Sequence, residues 1–561
     1  VTSSPPVSVR LTGLDRTFVT TGLSDAVTAA REHAEAASSH SGKDLDVVIM
    51  GGGATIGSAL DTGPVDALAL HLAPVLLGAG TPLFTGGAPR RTRAALCKTS
   101  WIPSLCAMSD RTPPATGRLL VSGCDVLRVP PEGECEILRA QDIVVTDGVI
   151  EAVQPTGATG PSGAADVIDG RGLLAVPGLV NAHTHSPMVL MRGAAEDVTV
   201  EGWFNDRVWP MESNLTPEDV RAGARLACAE MIRSGVTTFA DHYFFPEQIA
   251  GAVAETGLRA DIAPTYFSSR GEAALEDTVT FAETWHGGAD GRVTVSLGPH
   301  APYTVDDGDL RTLAGHARRL GLRMHIHAAE HLEQTRSSLE RRGITPIRVL
   351  HETGVLDAGA LIAHGCGIVE DDLPLLAEYA GTTAVACCPK VYLKHALSPL
   401  TPVRGLLDTG AAVAVGTDGA AGHNTLDVWE ALRLVALTQK QAVRDATWMT
   451  VSDTLRLAMR GGARALGLQN EIGALEPGLR ADIVLTDLTG PHCRPLHDPR
   501  AALVYSARAS DVRTVVVDGR VLMRDGRLLT VDEPALLAEA DTRVARILDT
   551  SHGRAVQHYD P

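Results

Sequence analysis

LRMHIHAAE (322–330), ALIAHG (360–365), TAVACCP (383–389) and AVAVGTD (412–418) are four apolar runs of strand length, each followed by a stretch of helical character. Upstream, GLVNAH (178–183), VTTFAD (236–241), ADIAPTYF (260–267) and VTVSLGPH (293–300) show the same pattern. Strands that are apolar at nearly every position are buried on both faces, which parallel sheets covered by crossover helices require. The intervening segments fit, since DLRTLAGHARRLG (309–321) and DLPLLAEYAG (372–381) carry helical periodicity. Thr216, Pro217 and Asp219 supply a cap, a proline at the first helical position and an acid in the first turn. Eight strand–helix steps call for an α/β fold closed as a (β/α)8 TIM-like barrel rather than an open sheet. The barrel is expected over 178–470.

On either side the texture changes to short alternating strands. RLLVSGCDVLRV and CEILRAQDIVVTDGVIEAVQP precede the barrel, and ADIVLTDL (481–488) and VRTVVVDGRVLMRDGRLL (512–529) follow it. Two such sets around a long insertion predict one small β-sandwich domain built from both flanks, 117–177 and 471–530. Residues 531–561 read as a C-terminal helix and tail, 85–116 as a linker, and 1–84 as a partial α/β fragment.

The chain has 561 residues, and 49 basic against 67 acidic side chains give 49 − 67 = −18. That balance repels a phosphate backbone, and no local basic groove is evident, so no nucleic-acid partner is expected. Nine cysteines, an odd number with no CxxC pair, argue against a disulfide framework and for a reducing compartment. No run approaches 18 apolar residues and the first residues lack a signal-like apolar stretch. A cytoplasmic protein with no membrane partner is expected, forming a homo-oligomer and acting on a small molecule.

Polar side chains gather where such a barrel collects its chemistry, at the C-terminal strand ends. His183 and His185 follow the first strand, His300 the fourth, His327 and Glu330 the fifth, His364 the sixth and Asp418 the eighth. One strand-end histidine is ordinarily a hydrogen-bonded structural residue; the ordered set is not ordinary. His183 and His185, two apart, point the same way from a strand. Imidazoles joined by a carboxylate suit one divalent ion, zinc first, with Fe2+ or Mn2+ open. His327 and Asp418 are the natural third and fourth ligands, leaving a position for water.

NAHTH (181–185), GPHAPYT (298–304), HIHAAE (325–330), IAHG (362–365) and GTDGA (416–420), in that order, resemble the metal-dependent amidohydrolase superfamily. The likeness is to its aminohydrolase and chlorohydrolase branch, which includes adenosine, S-adenosylhomocysteine and methylthioadenosine deaminases. TPEDVRAGARLACAEMIRSGVTTFADHYFF (216–245), NTLDVWEALRLVALTQK (424–440) and HDPRAALVYSARASDVRTVVVDGRVL (497–522) extend it to about residues 117–530. The resemblance implies that His183, His185, His327 and Asp418 hold one ion. It implies that Glu330 moves protons and that His364 orients the attacking water and steadies the developing oxyanion. It also implies that His300 and Glu212 contact substrate, with Glu212 receiving ribose hydroxyls from a long loop over the mouth. Read alone, Glu212 is an ordinary solvated acid beside a helix start. Trp203, Phe204 and Trp209 in the same loop offer flat faces for a ring, or core for a lid.

The implied reaction is hydrolytic deamination of an amino-substituted purine nucleoside to the oxo product and ammonia. The alternative is deamination or dechlorination of another heterocycle such as guanine, 8-oxoguanine, a pterin or an s-triazine. A silent metal scaffold is a third reading, against which Glu330, His364 and Asp418 speak. One departure touches substrate choice: CCPKVYLKH (387–395) stands where the family has Asn-Pro followed by Ser-Asn, so Cys388 replaces an amide and Lys390 and Tyr392 approach the mouth. Cys387 and Cys388 read as packing residues.

IMGGGATIG (49–57) and LHLAPVLLGAGTPLF (70–84) resemble the dihydrofolate-reductase-like domain at the C-terminus of riboflavin-pathway deaminase/reductases. Glycine amides opening a helix can cradle phosphate, but tight packing explains them as often. The likeness covers about residues 35–85, too little of such a domain for reductase activity to be expected.

Overall fold

The computed structural model describes residues 117–158 and 166–561, together with five short strands before them. The chain divides into two compact units, Val1–Arg111 and Thr112–Pro561. In the first, Val7–Leu11 pairs antiparallel with both Thr17–Thr20 and Val47–Met50, and Ala69–His71 pairs parallel with Ala95–Cys97. The Ala95–Cys97 strand lies inside the stretch read as linker, because three apolar residues suffice to add a short strand beside a neighbour. The Gly51–Gly53 turn lies outside the described residues.

The second unit is mixed α/β. Leu179–Thr184, Val236–Tyr243, Arg259–Tyr266 and Val293–Val295 run parallel in that order, and Met324–Ala328, Ala360–His364, Ala384–Cys387 and Ala412–Val415 form a second parallel run. Each falls within a few residues of its predicted strand. The fourth is broken, with Gly298–Pro299 pairing separately with Arg259–Tyr266. Pro299 has no N–H to give a ladder, and a Cβ on Gly298 would lie 2.5 Å from the Pro264 carbonyl oxygen. The two runs meet at both ends. Leu297 N–H donates to the Arg323 carbonyl at 2.9 Å, and the Thr417 and Asp418 amides donate to the His183 carbonyl at 3.1 and 2.9 Å.

The helix signals hold. Pro217–Ser234 starts at a Thr216/Asp219 capping box and stops at Gly235, whose φ of 81° is the left-handed cap glycine tolerates. Asp307–Leu320 matches its prediction, whereas Leu373–Glu378 is shorter than 372–381. The segment expected to be a loop over the mouth is helical instead: Val200–Gly202, a π-turn over Trp203–Val208, then Trp209–Glu212. Thr199 caps its start by accepting from the Gly202 amide at 3.1 Å, and Trp203, Val208, Trp209 and Met211 bury one face.

Both flanks join one hydrogen-bonded sheet of nine strands. Leu174–Pro177 pairs antiparallel with Ile483–Thr486 and parallel with Arg118–Arg128, so strands from both flanks are hydrogen-bonded to one another. Its core, with Val121, Ile143, Ile168, Ile483 and Val516, is separate from the main one.

Arg259 ties this sheet to the parallel strands. Its buried guanidinium pairs with Asp482 and, at 2.5 Å, with Asp518 Oδ1. Removing one member of such a group leaves buried charge without a partner. Arg259→Ala is expected to lower unfolding stability by about 3–5 kcal/mol, read by denaturant titration; a change under about 1 kcal/mol, the scale of exposed pairs, would show the cluster to be dispensable.

Candidate active site and metal centre

Four of the eight strands deliver predicted side chains to one buried cluster. His183 and His185 come from the end of Leu179–Thr184, His327 from Met324–Ala328, His364 from Ala360–His364, and Asp418 from just past Ala412–Val415. The same-side reading of His183 and His185 holds: their Nε2 atoms lie 3.6 and 3.2 Å from Asp418 Oδ1. His327 Nε2 is 3.3 Å from His185 Nε2. Ligating atoms of His183, His185 and His327 lie within 4.8 Å of one another, as do those of His183, His364 and Asp418.

The outer ring nitrogens are spoken for. His327 Nδ1 donates to the His300 carbonyl at 2.9 Å and His185 Nδ1 to the His242 carbonyl at 2.5 Å. Those bonds fix the tautomers and turn the Nε2 lone pairs inward, the usual outer arrangement of metal-bound histidines. His183 Nε2 is buried without a hydrogen-bond partner. Inward lone pairs, an orphaned nitrogen and a buried carboxylate fit a divalent cation.

Charge follows from burial. Burial drives His300 and His364 down to about 3, so both are neutral imidazoles at neutral pH. Burial also lowers His185, but the adjoining Asp418 carboxylate outweighs it and carries the ring up to about 9, so without an ion a proton sits on Nε2 beside Asp418, at the place a cation would take to free that lone pair. Asp418 itself stays well below the carboxylate range, because the histidines beside it overcome its desolvation. Glu330 is pushed up to about 7 by burial, with the charge of Asp418 adding and a hydrogen bond from Tyr303 opposing. Tyr303 Oη lies 3.3 Å from Glu330 Oε1.

His300, Glu212 and Trp209 line the same pocket, together with Trp203, Phe204, Phe244 and Phe267. Glu212 is 5% exposed rather than solvated, and burial lifts it to about 7. The 387–395 segment contributes less to the mouth than its composition predicted. Lys390 Nζ is bound to Glu430 at 2.8 Å. The Tyr392 hydroxyl accepts from the Cys388 amide at 2.7 Å and donates to the His364 carbonyl at 3.4 Å, while its ring lines the pocket. Burial raises the Cys387 thiol to about 12 and Cys388 well above its ordinary value, so neither is a nucleophile.

Sequence reasoning passed over His242, His325, Tyr303 and His331. His325 had a usable signal, since HIH repeats the two-residue spacing of HTH; it sits beneath the cluster, its Nε2 2.9 Å from His183 Nδ1. His242 extends the second strand beyond its predicted end and lines the pocket, with Nδ1 2.8 Å from Thr265 Oγ1.

Residues 174–522 match the Amidohydrolase family, and residues 36–104 match the RibD C-terminal domain. A 5-methylthioadenosine/S-adenosylhomocysteine deaminase from Pelotomaculum thermopropionicum is 40% identical over 77% of this chain and 99% of its own. A 5'-deoxyadenosine deaminase from Methanothermobacter thermautotrophicus is 37% identical over 76% and 98%. Among solved structures, a zinc-bound adenosine deaminase from Xanthomonas campestris superposes with a TM-score of 0.72 at 32% identity, covering 78% of this chain and 99% of its own. A zinc-bound atrazine chlorohydrolase from Arthrobacter aurescens gives 0.69 at 27%, covering 76% and 100%. With its buried histidine–aspartate cluster at the strand ends and a family match over 174–522, the chain belongs to the amidohydrolase family.

Proposed function

We propose that this protein is a hydrolytic deaminase of adenine-type nucleosides, acting on 5′-methylthioadenosine, S-adenosylhomocysteine or adenosine and releasing ammonia. The observation that carries the reading is the 40% identity to a 5-methylthioadenosine/S-adenosylhomocysteine deaminase across 99% of its length. The chlorohydrolase likeness is weaker at 27%.

His183, His185, His327 and Asp418 would hold one divalent ion, zinc by analogy with the zinc-bound relatives. When bound, the ion supplies a Lewis acid that lowers the pKa of water toward 7. Asp418 accepts a proton from the attacking water. Glu330, carried up toward neutrality, gives its proton to the ring nitrogen, takes up the hydroxyl proton of the adduct and passes it to the departing amine, and the proton held by Asp418 then restores Glu330. His364 orients the water and donates to the oxygen as negative charge develops there. Neutral His300 addresses the ring, Trp209 packs against its face, and Glu212 accepts the ribose hydroxyls. The balance is C–NH2 plus water giving C=O plus ammonia.

The proposed frame is a closed (β/α)8 barrel over 178–470, supported by the backbone bonds from Leu297 to Arg323 and from Asp418 to His183. A two-layer folding of the flank sheet, 117–177 with 471–530, is supported by register shifts in the long Arg118–Arg128 strand, where bulges bend a sheet. A 531–561 helix and tail, a 1–84 fragment and an 85–116 linker complete the proposed division. Among the described residues no helix is long and apolar enough to cross a membrane. The seven cysteines within residues 117–561 are free and buried, which supports a reducing, cytoplasmic setting. A homo-oligomer belongs to the same proposal.

An ammonia-release panel of 5′-methylthioadenosine, S-adenosylhomocysteine, adenosine, guanine, 8-oxoguanine, a pterin and an aminotriazine tests the reading. The nucleosides are expected to lead, and Glu212→Gln to raise their KM by about 10-fold or more, the scale of a lost charged hydrogen bond. Preferred turnover of a sugar-free ring, indifferent to Glu212→Gln, would overturn the nucleoside assignment and leave hydrolysis standing.

A further inference from the structure

The Glu533–Ile547 helix is followed by residues 549–561, which form neither helix nor strand, yet Tyr559 within them is only 6% exposed. Its ring stacks on Phe204, 4.7 Å between centroids at 7°, and meets Tyr303 edge-on at 5.6 Å. His331 Nδ1 lies 3.1 Å from the Glu333 carboxylate and donates to it, which leaves Nε2 to accept from the Tyr559 hydroxyl at 2.6 Å. The backbone is held as firmly. Asn205 Oδ1 accepts from the Tyr559 amide at 2.7 Å, Asn205 Nδ2 donates to the Tyr559 carbonyl at 3.2 Å, and the Val556 amide donates to the Trp209 carbonyl at 3.2 Å. Ser337 donates to the Pro561 carbonyl.

These contacts reach two walls of one pocket. Phe204 and Trp209 belong to the helical segment that carries Glu212, the proposed ribose acceptor. Tyr303 and His331 flank Glu330, the proposed proton carrier. Tyr559 touches both from outside the barrel strands, whereas His300, whose ring also meets Trp209 and Tyr303, follows the fourth strand.

We propose that Tyr559 is a positioning residue for the substrate site, with segment 549–561 acting as a strap that sets the distance between the ribose-binding wall and the proton-transfer wall. Substrate must span the two walls, so a loosened strap weakens binding before it touches the proton transfer itself. The choice of substrate for the test rests on the nucleoside-deaminase reading; the placement of the strap does not.

The test compares full-length, zinc-loaded wild type with Tyr559→Ala and Tyr559→Phe by three measurements: kcat and KM for 5′-methylthioadenosine, amide hydrogen exchange over 203–212, and zinc content with Tm. In Tyr559→Ala, KM is expected to rise about 10-fold or more with kcat within about 3-fold, exchange over 203–212 to quicken about 10-fold, and zinc content to hold. Tyr559→Phe keeps the ring stack and is expected to stay within about 3-fold of wild type in KM. Unchanged KM and exchange in Tyr559→Ala would overturn the proposal. So would a general fall in Tm and zinc content that Tyr559→Phe shares, since that is what a merely structural residue produces. If wild type does not turn over this nucleoside, the substrate assignment fails and the exchange measurement still decides the strap.

Discussion

Glu330→Gln is expected to yield a folded, metal-loaded protein whose kcat is lower by about 100- to 10,000-fold, the usual contribution of a general acid–base group. The amide has the size of the acid, so the pocket keeps its shape. The Glu330 backbone is held independently of the side chain, its N–H donating to Gln334 Oε1 at 3.0 Å. The Tyr303 hydroxyl, 3.3 Å from Oε1, can donate to a carboxamide oxygen as it does to a carboxylate. What the substitution removes is an acid that burial carries up to about 7, where it can both give and take a proton near neutral pH. Elemental analysis should show unchanged metal. A variant that turns over at the wild-type rate would end the proton-carrier role.

Asp418→Asn is expected to have a comparable effect on activity by a different route, through loss of the ion. The choice of asparagine matters. Asp418 sits at φ 62°, a left-handed conformation that aspartate and asparagine tolerate better than alanine, so alanine would mix backbone strain with loss of a ligand. The carboxylate is the negative partner of both His183 and His185. Without it the three imidazoles offer only neutral nitrogens, and metal affinity should fall by more than the about 10- to 100-fold typical of losing an outer partner of a ligand. Dialysis against a chelator followed by elemental analysis reads this directly: about one ion per chain retained by wild type and little by Asp418→Asn or His183→Ala. Full activity in metal-free wild type would refute the metal assignment.

The strand ends were legible because each proposed ligand lies at or just past the end of a largely apolar run, and a period of two puts His183 and His185 on one side without any knowledge of their neighbours. The same rule applied to His325 and His327 marks a pair, but one ring sits below the other's layer, a depth that spacing alone does not encode. The helical roof was misread as a loop because six residues, Trp203–Val208, wind as a π-turn that no periodicity of 3.6 announces. Glu212 looked like a solvated acid beside a cap, since its burial comes from distant elements. Tyr559 is the extreme case: its partners Asn205 and Phe204 lie more than 350 residues earlier in sequence, and nothing local distinguishes its aromatic ring from any other. The composition around Lys390 pointed to an added cation at the mouth, which the Glu430 carboxylate, 40 residues on, neutralises.

The sheet that joins Leu174–Pro177 to Ile483–Thr486 sets a constraint on biogenesis. A ribosome releases the first of these strands roughly 300 residues before the second, an interval of about 15–60 s at about 5–20 residues per second. During that time Leu174, Ala175, Val176 and Pro177, all buried in the finished protein, have Arg118–Arg128 available on one side but an open edge on the other. The nascent chain therefore passes through a long window with an apolar sheet edge uncovered, and its yield in cells should depend on translation speed and on chaperones that shield such edges.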